Sequence, residues 1–144
     1  MNTALKTIRE LAKAYQAFES YSSRHIRTLG LSPSQFDIVA TLGNTNGMTC
    51  SELGNQTLIT KGTLTGVLDR LADKKIIFRQ ENTNDGRSTL VKLTPAGQAL
   101  FETVFPTHVA HLRMILKKMT TQDHQQLQAL LFKFKASFEE NADE

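Results

Sequence analysis

The stretch from Thr49 to Leu93 leaves few folds open to this chain. Thr49-Cys50-Ser51-Glu52 has the form of a capping box, in which the Thr49 hydroxyl accepts from the Glu52 amide and the Glu52 carboxylate reaches back. A second helix is predicted from about Thr60, because Leu64, Val67, Leu68 and Leu71 recur at i, i+3, i+4 and i+7. Its other face carries Lys61, Thr63, Thr65, Asp69 and Arg70. Two β-rich runs follow, Ile76 to Glu81 and Thr89 to Leu93, on either side of an Asp85-Gly86 turn signal. A helix–turn–helix followed by a hairpin is a winged helix. The expected fold is therefore mainly α with a small β wing. Small polar and basic side chains at a helix start suit base edges and phosphates, so double-stranded DNA is the expected partner.

Charge agrees with this expectation. Between Thr60 and Lys92 there are seven Lys or Arg and four acids, a local net of +3, and the rest of the chain is balanced. The whole formal excess thus falls on the predicted recognition helix and wing, as a phosphate-facing surface requires. A slightly basic solvated face would have the same count, so charge does not decide the matter alone.

The rest of the chain is helical in pattern. Leu5, Ile8, Leu11, Ala12, Tyr15, Phe18 and Ser22 keep helical spacing up to a stop at Gly30. Ser32-Pro33-Ser34-Gln35 opens a helix that buries Phe36, Ile38, Val39 and Leu42. Thr94-Pro95 opens a long helix expected to reach Met119 and to kink at Pro106. Thr120 to Asp123 caps a last one bearing Leu127, Leu130, Leu131, Phe134 and Phe138. A winged helix needs only about half of 144 residues, so the outer helices must bury their stripes elsewhere. We divide the chain into a winged-helix DNA-binding region, 32–104, and a helical dimerisation region, 1–31 with 105–144. A two-fold homodimer would set two recognition helices about 34 Å apart on a pseudo-palindromic site. The alternative is a monomer whose end helices pad the core.

One cysteine, no signal pattern and no long apolar run point to a cytoplasmic protein with no membrane partner. There is no nucleophile–base set, phosphate-cradling glycine loop or metal constellation, so neither an enzyme nor a cofactor is expected.

Asp85-x-Arg87-x-x-x-Val91-x-Leu93-Thr94-x-x-Gly97 resembles the wing-and-exit signature of the MarR family of bacterial transcription regulators. Lys61-Gly62-Thr63-Leu64-Thr65 with Leu68-Asp69-Arg70-Leu71 resembles that family's recognition helix. The resemblance covers essentially the whole chain. It implies a pyramidal homodimer with terminal helices joined at the apex. It also implies a repressor more often than an activator, released by a small phenolic or anionic ligand or by oxidation. Two positions depart from the pattern. Lys75 stands where the family has Gly, so the turn into the wing is expected to differ, because a left-handed cap costs Lys more. Gly66 stands where the family often has a larger polar or basic residue, which suggests close approach to DNA or to a neighbouring helix.

The DNA-binding residues expected are Ser34, Thr60, Lys61, Gly62, Thr63, Thr65, Arg70, Asp85 and Arg87. Arg87 at the hairpin tip suits a narrow minor groove, with Asp85 orienting it. Lys61 and Arg70 suit phosphate, although Arg70 has Asp69 and Asp73 as internal alternatives. A pocket for a small aromatic acid would be lined by Tyr15, Phe18, Tyr21, Arg24, His25, Phe36 and Ile38, unless these side chains only pack the core. Cys50 lies in the first turn of a helix, which permits a redox-responsive repressor. The redox-sensing relatives keep their cysteine in the first helix, however, and buried inert packing is the expectation for Cys50. His108 and His111 share a helix face, but no third ligand stands at short spacing, so surface or interface histidines are expected. The competing function is a winged-helix protein-interaction module with a basic docking face.

Overall fold

The computed structural model describes residues 2–81 and 88–141. The Asp85-Gly86 turn, and with it Asp85 and Arg87, lies outside the described residues. In chain order the elements are α1 (Thr3–Thr28), α2 (Pro33–Leu42), β1 (Met48–Thr49), α3 (Cys50–Gln56), α4 (Lys61–Asp73), β2 (Ile77–Glu81), β3 (Thr89–Leu93), α5 (Pro95–Ile115) and α6 (Thr121–Glu139). The chain divides into two compact units, Met1–His108 and Val109–Glu144.

In the first unit, the caps read from sequence fix where helices begin. At α2 the Gln35 amide donates to Ser32 Oγ at 3.2 Å and the Ser32 amide donates to Gln35 Oε1 at 3.1 Å. At α3 only half of the predicted box forms. The Glu52 amide donates to Thr49 Oγ1 at 3.1 Å, but Glu52 Oε1 takes the Thr49 hydroxyl at 3.2 Å rather than the backbone amide. Thr49 is also a strand residue, opposite Leu90 in the sheet, and this short strand was not foreseen.

The three strands are antiparallel in the order β1-β3-β2, with β2 and β3 in register from Ile77↔Leu93 to Glu81↔Thr89. One core joins α2, α3, α4 and the sheet through Ile38, Leu42, Leu53, Leu64, Val67, Leu68, Leu71, Ile77 and Val91. The whole predicted apolar face of α4 is in it. A second cluster of Ile26, Leu31, Phe36 and Val104 ties the end of α1 to α2 and α5. Over the rest of α1 the predicted stripe is not buried, for Leu5, Ile8, Tyr15 and Phe18 are all exposed.

The turn from α4 into the wing corrects the expectation about Lys75. The turn is an ordinary left-handed cap, and Lys75 occupies it at φ 59°. The Ile76 amide donates to Leu71 O and the Lys75 amide to Ala72 O, both at 2.9 Å, which satisfies the end of α4. Thr94 secures the turn from the far side: its hydroxyl donates to Lys75 O at 2.6 Å and its amide to Ile76 O at 3.0 Å. The Gly97 in the same signature is needed for space, since a Cβ there would fall on the Ile76 carbonyl.

Helix α5 continues through Pro106 and ends at Ile115, short of the predicted Met119; turns occupy 116–118. The second unit holds its last turns and α6. The Thr120–Asp123 box is present, with the Asp123 amide donating to Thr120 Oγ1 at 3.0 Å and the Thr120 amide to Asp123 Oδ2 at 2.9 Å. These bonds from Thr120 hold the Asp123 carboxyl below its ordinary value. No residue of α6 is buried within the chain. Among the described residues, no helix is long and apolar enough to cross a membrane.

Candidate nucleic-acid interface

Burying Leu64, Val67, Leu68 and Leu71 fixes the rotation of α4 and turns the opposite face outward. Thr60, Lys61, Gly62, Thr63, Thr65 and Arg70 are all exposed on it, as a recognition helix requires. Ser34, at the start of α2, is half-buried. The beginning of α4 differs from those of α2, α3 and α6. Thr60 makes no side-chain cap bond, and its hydroxyl donates to Thr63 Oγ1 at 3.2 Å. The Thr63 and Leu64 amides both return to Thr60 O. No side chain of Thr60 caps the first amides of this helix, and uncapped amides at a helix start stabilise an anion such as phosphate.

Helix and wing are joined by an ion pair that the sequence reading missed. Arg79 Nη2 on β2 donates to Asp69 Oδ1 on α4 at 2.7 Å. Asp69 is therefore engaged by the wing. Among the described residues no salt bridge reaches Arg70. Gly66 is corrected in part. Among the described residues no other element comes within 4 Å of a Cβ built there, so no neighbouring helix demands glycine.

The turn before α4 is anchored by polar bonds. Thr57 is buried, and its hydroxyl donates to Leu53 O at 2.7 Å while accepting from the Ile59 amide at 3.4 Å. The Asp37 carboxyl on α2 takes the Leu58 amide and the Thr41 hydroxyl. Burial raises the Asp37 carboxyl above its ordinary value, and those two hydrogen bonds only partly offset it.

The residues expected to line a pocket fall in different settings. Ile38 and Phe36 are core residues. Tyr15 and Phe18 are exposed on α1 with ring centroids 6.4 Å apart. Tyr21 is half-buried. Arg24 lies in an open depression of about 330 Å³ along α1, with Gln16, Glu19, Ser20, Ser23 and Arg27. His25 and Phe36 meet around His108, which corrects the expectation of a surface or interface histidine there. His108 is only 4% exposed; its Nε2 lies 3.0 Å from Ser22 Oγ and its Nδ1 2.8 Å from His25 Nδ1. The Phe36 ring meets it edge-on at 4.8 Å. His111 is half-buried. Cys50 is exposed in the first turn of α3 and not packed as expected, since that helix turns Leu53 and not Cys50 into the core.

An outward recognition helix, an adjoining two-stranded wing and a local excess of basic residues define a winged-helix DNA-binding protein. Comparison with known proteins narrows the class. The MarR family profile matches residues 31–89. The homoprotocatechuate degradative operon repressor of Escherichia coli is 31% identical over 124 residues, covering 86% of this chain and 84% of that one. The HTH-type transcriptional regulator MhqR of Bacillus subtilis is 26% identical over 120 residues, 83% of each chain. Among solved structures, a mutant MarR from E. coli in complex with operator DNA superposes with a TM-score of 0.80 at 28% identity, covering 92% of this chain and 96% of that one. AbsC from Streptomyces coelicolor, at 20% identity, shares the fold with a TM-score of 0.85 over 96% of each chain. The chain belongs to the MarR family of DNA-binding transcription regulators, and so is a regulator and not an enzyme.

Proposed function

We propose that two copies of this chain form a cytoplasmic repressor of a pseudo-palindromic operator, released by a small aromatic or anionic ligand. The observation that carries the DNA reading is the exposed face of α4, from Thr60 to Arg70, tied to the wing through Asp69 and Arg79. Thr60, Lys61, Gly62, Thr63, Thr65 and Arg70 would face the major groove. Ser34 would touch the backbone, and Arg87, oriented by Asp85, would enter the flanking minor groove. The exposed apolar side chains of α1 and, separately, of α6 support a dimer. Leu127, Leu130, Phe132 and Phe138 all stand in solvent on a helix with no buried residue. Covering a side chain of this kind is worth about 1.5–3 kcal/mol, and a second copy supplies the cover.

A ligand would release DNA by favouring a different spacing of the two wings. Tyr15, Phe18 and Arg24, all exposed on α1, would offer aromatic faces and a cation for such a molecule, with Tyr21 and His25 on the same helix and Phe36 in the core behind His108. The relative at 31% identity is, by name, the repressor of a homoprotocatechuate degradative operon, which agrees with an aromatic effector. The test is selection from random duplexes by the purified chain, with Arg87→Ala in parallel. An enriched inverted repeat that Arg87→Ala fails to retain is the expected result. No enrichment would sink the reading and turn the search to protein partners.

A redox-responsive repressor is the second reading, favoured by the exposure of Cys50. Peroxide would then weaken operator binding by the native chain and leave Cys50→Ser unaffected.

A further inference from the structure

Leu58 is 87% exposed, more than any other large apolar side chain among the described residues. It sits in the turn between α3 and α4, two residues before the Thr60 cap, with Thr60, Lys61, Gly62 and Thr63 exposed beside it. Flexibility does not explain this exposure, because the turn is fastened on both sides and at Leu58 itself. Thr57 is buried and bonded to Leu53, Ile59 packs against the main core, and the Leu58 amide is held by Asp37. The backbone is thus fixed in a form that leaves one isobutyl group in water, at the mouth of a polar and basic surface.

Resting on the operator-binding reading above, we propose that Leu58 reads the methyl group of a thymine beside the recognition helix. A leucine has no donor or acceptor, so it is blind to every other feature of the major-groove edges. The thymine C5 methyl is the one apolar group that a base pair presents there. Phosphate would be recognised by the neighbouring Lys61 and the first amides of α4, not by Leu58. The contact would bury apolar surface on both partners and add thymine preference at one position per protomer.

The test uses the full chain and the operator recovered by the duplex selection. Each thymine is replaced in turn by deoxyuridine, which removes the methyl and keeps the pairing, and binding is measured for the native chain and for Leu58→Ala. At one thymine, the replacement weakens native binding about fourfold, equivalent to about 0.8 kcal/mol for one buried methyl. Leu58→Ala, which removes the contact from both protomers, is weakened about sixteenfold on the thymine operator and loses nothing further on the deoxyuridine one. Equal losses for both proteins at every thymine would overturn the inference, as would Leu58→Ala binding like the native chain. The first result would leave Leu58 a sequence-blind contact to sugar, the second a surface for some other partner. Failure of the native chain to select any sequence would instead remove the operator reading, and this inference with it. Leu58→Ala alters an exposed side chain, so an unchanged thermal midpoint shows that the fold is intact.

Discussion

Arg79 on the first wing strand donates to the Asp69 carboxylate on the recognition helix at 2.7 Å, linking the two elements expected to touch DNA. Both side chains are substantially exposed, so the pair adds at most about 1 kcal/mol to folding. Its larger effect is to hold the wing at one angle to α4. Asp69→Asn and Arg79→Gln should each weaken operator binding while the thermal midpoint hardly moves. Because the two act together, the double variant should bind no worse than the weaker single one. Additive losses in the double-mutant cycle would mean that each residue acts alone.

Lys75 is held at φ 59°, a region that costs a side-chain-bearing residue about 1–2 kcal/mol. Glycine escapes that strain but gives back part of it through its greater freedom in the unfolded chain. Lys75→Gly should therefore stabilise the chain by about 0.5–1 kcal/mol, read from urea unfolding, and Lys75→Val should destabilise it. Gly66→Ala should stabilise by a similar amount, because open space surrounds the position. If Gly66→Ala also lowers operator affinity, the glycine is there for DNA.

What could be read in the sequence was what repeats or caps. The apolar face of α4, the Ser32–Gln35 and Thr120–Asp123 boxes and the pairing of β2 with β3 follow from local spacing, and all are present. Non-local partners were not legible. Nothing within ten residues of Ser22 or His25 announces that His108 will lie against both. The two-residue strand at Met48 is too short for any periodicity, and it exists only because Val91 and Leu90 lie opposite. Lys75 shows a different limit. Local propensity argued for an altered turn, but the Leu71–Ile76 bond and the clasp of Thr94 outweigh it. Spacing alone also foretold that Thr60, Lys61, Gly62, Thr63, Thr65 and Arg70 would be exposed opposite the buried face of α4, whereas the exposure of Leu58 and the Arg79–Asp69 pair needed coordinates.

His108 on α5 meets two other helices at once, through Ser22 and His25 on α1 and the Phe36 ring on α2. Truncating it opens a cavity against the Phe36 ring and takes a hydrogen bond from buried Ser22, and a buried polar group that loses its partner costs about 1–3 kcal/mol. His108→Ala should destabilise by about 3 kcal/mol or more, and Ser22→Ala by about 1 kcal/mol. Chemical unfolding of the three proteins checks the order. A His108→Ala variant as stable as the native chain would show that the cluster does not hold α1 to α5.

Asp37 adds a pH dependence of known sign. Burial raises its carboxyl above the ordinary 3.8, so between those two values the folded state holds more protons than the unfolded one. The stability contributed by this group is therefore fully present below 3.8 and is lost as pH rises through the folded value. The ionised form is the one that burial penalises, and its hydrogen bonds with the Leu58 amide and the Thr41 hydroxyl offset only part of that penalty. Asp37→Asn keeps an acceptor for that amide and cannot ionise. It should be at least as stable as the native chain at pH 7, with the advantage shrinking as pH falls toward 4. Asp37→Ala loses the acceptor and should loosen the turn, visible as faster hydrogen exchange at the Leu58 amide. An Asp37→Asn advantage that grows on acidification would reverse the sign and show the carboxylate to be favoured in the fold.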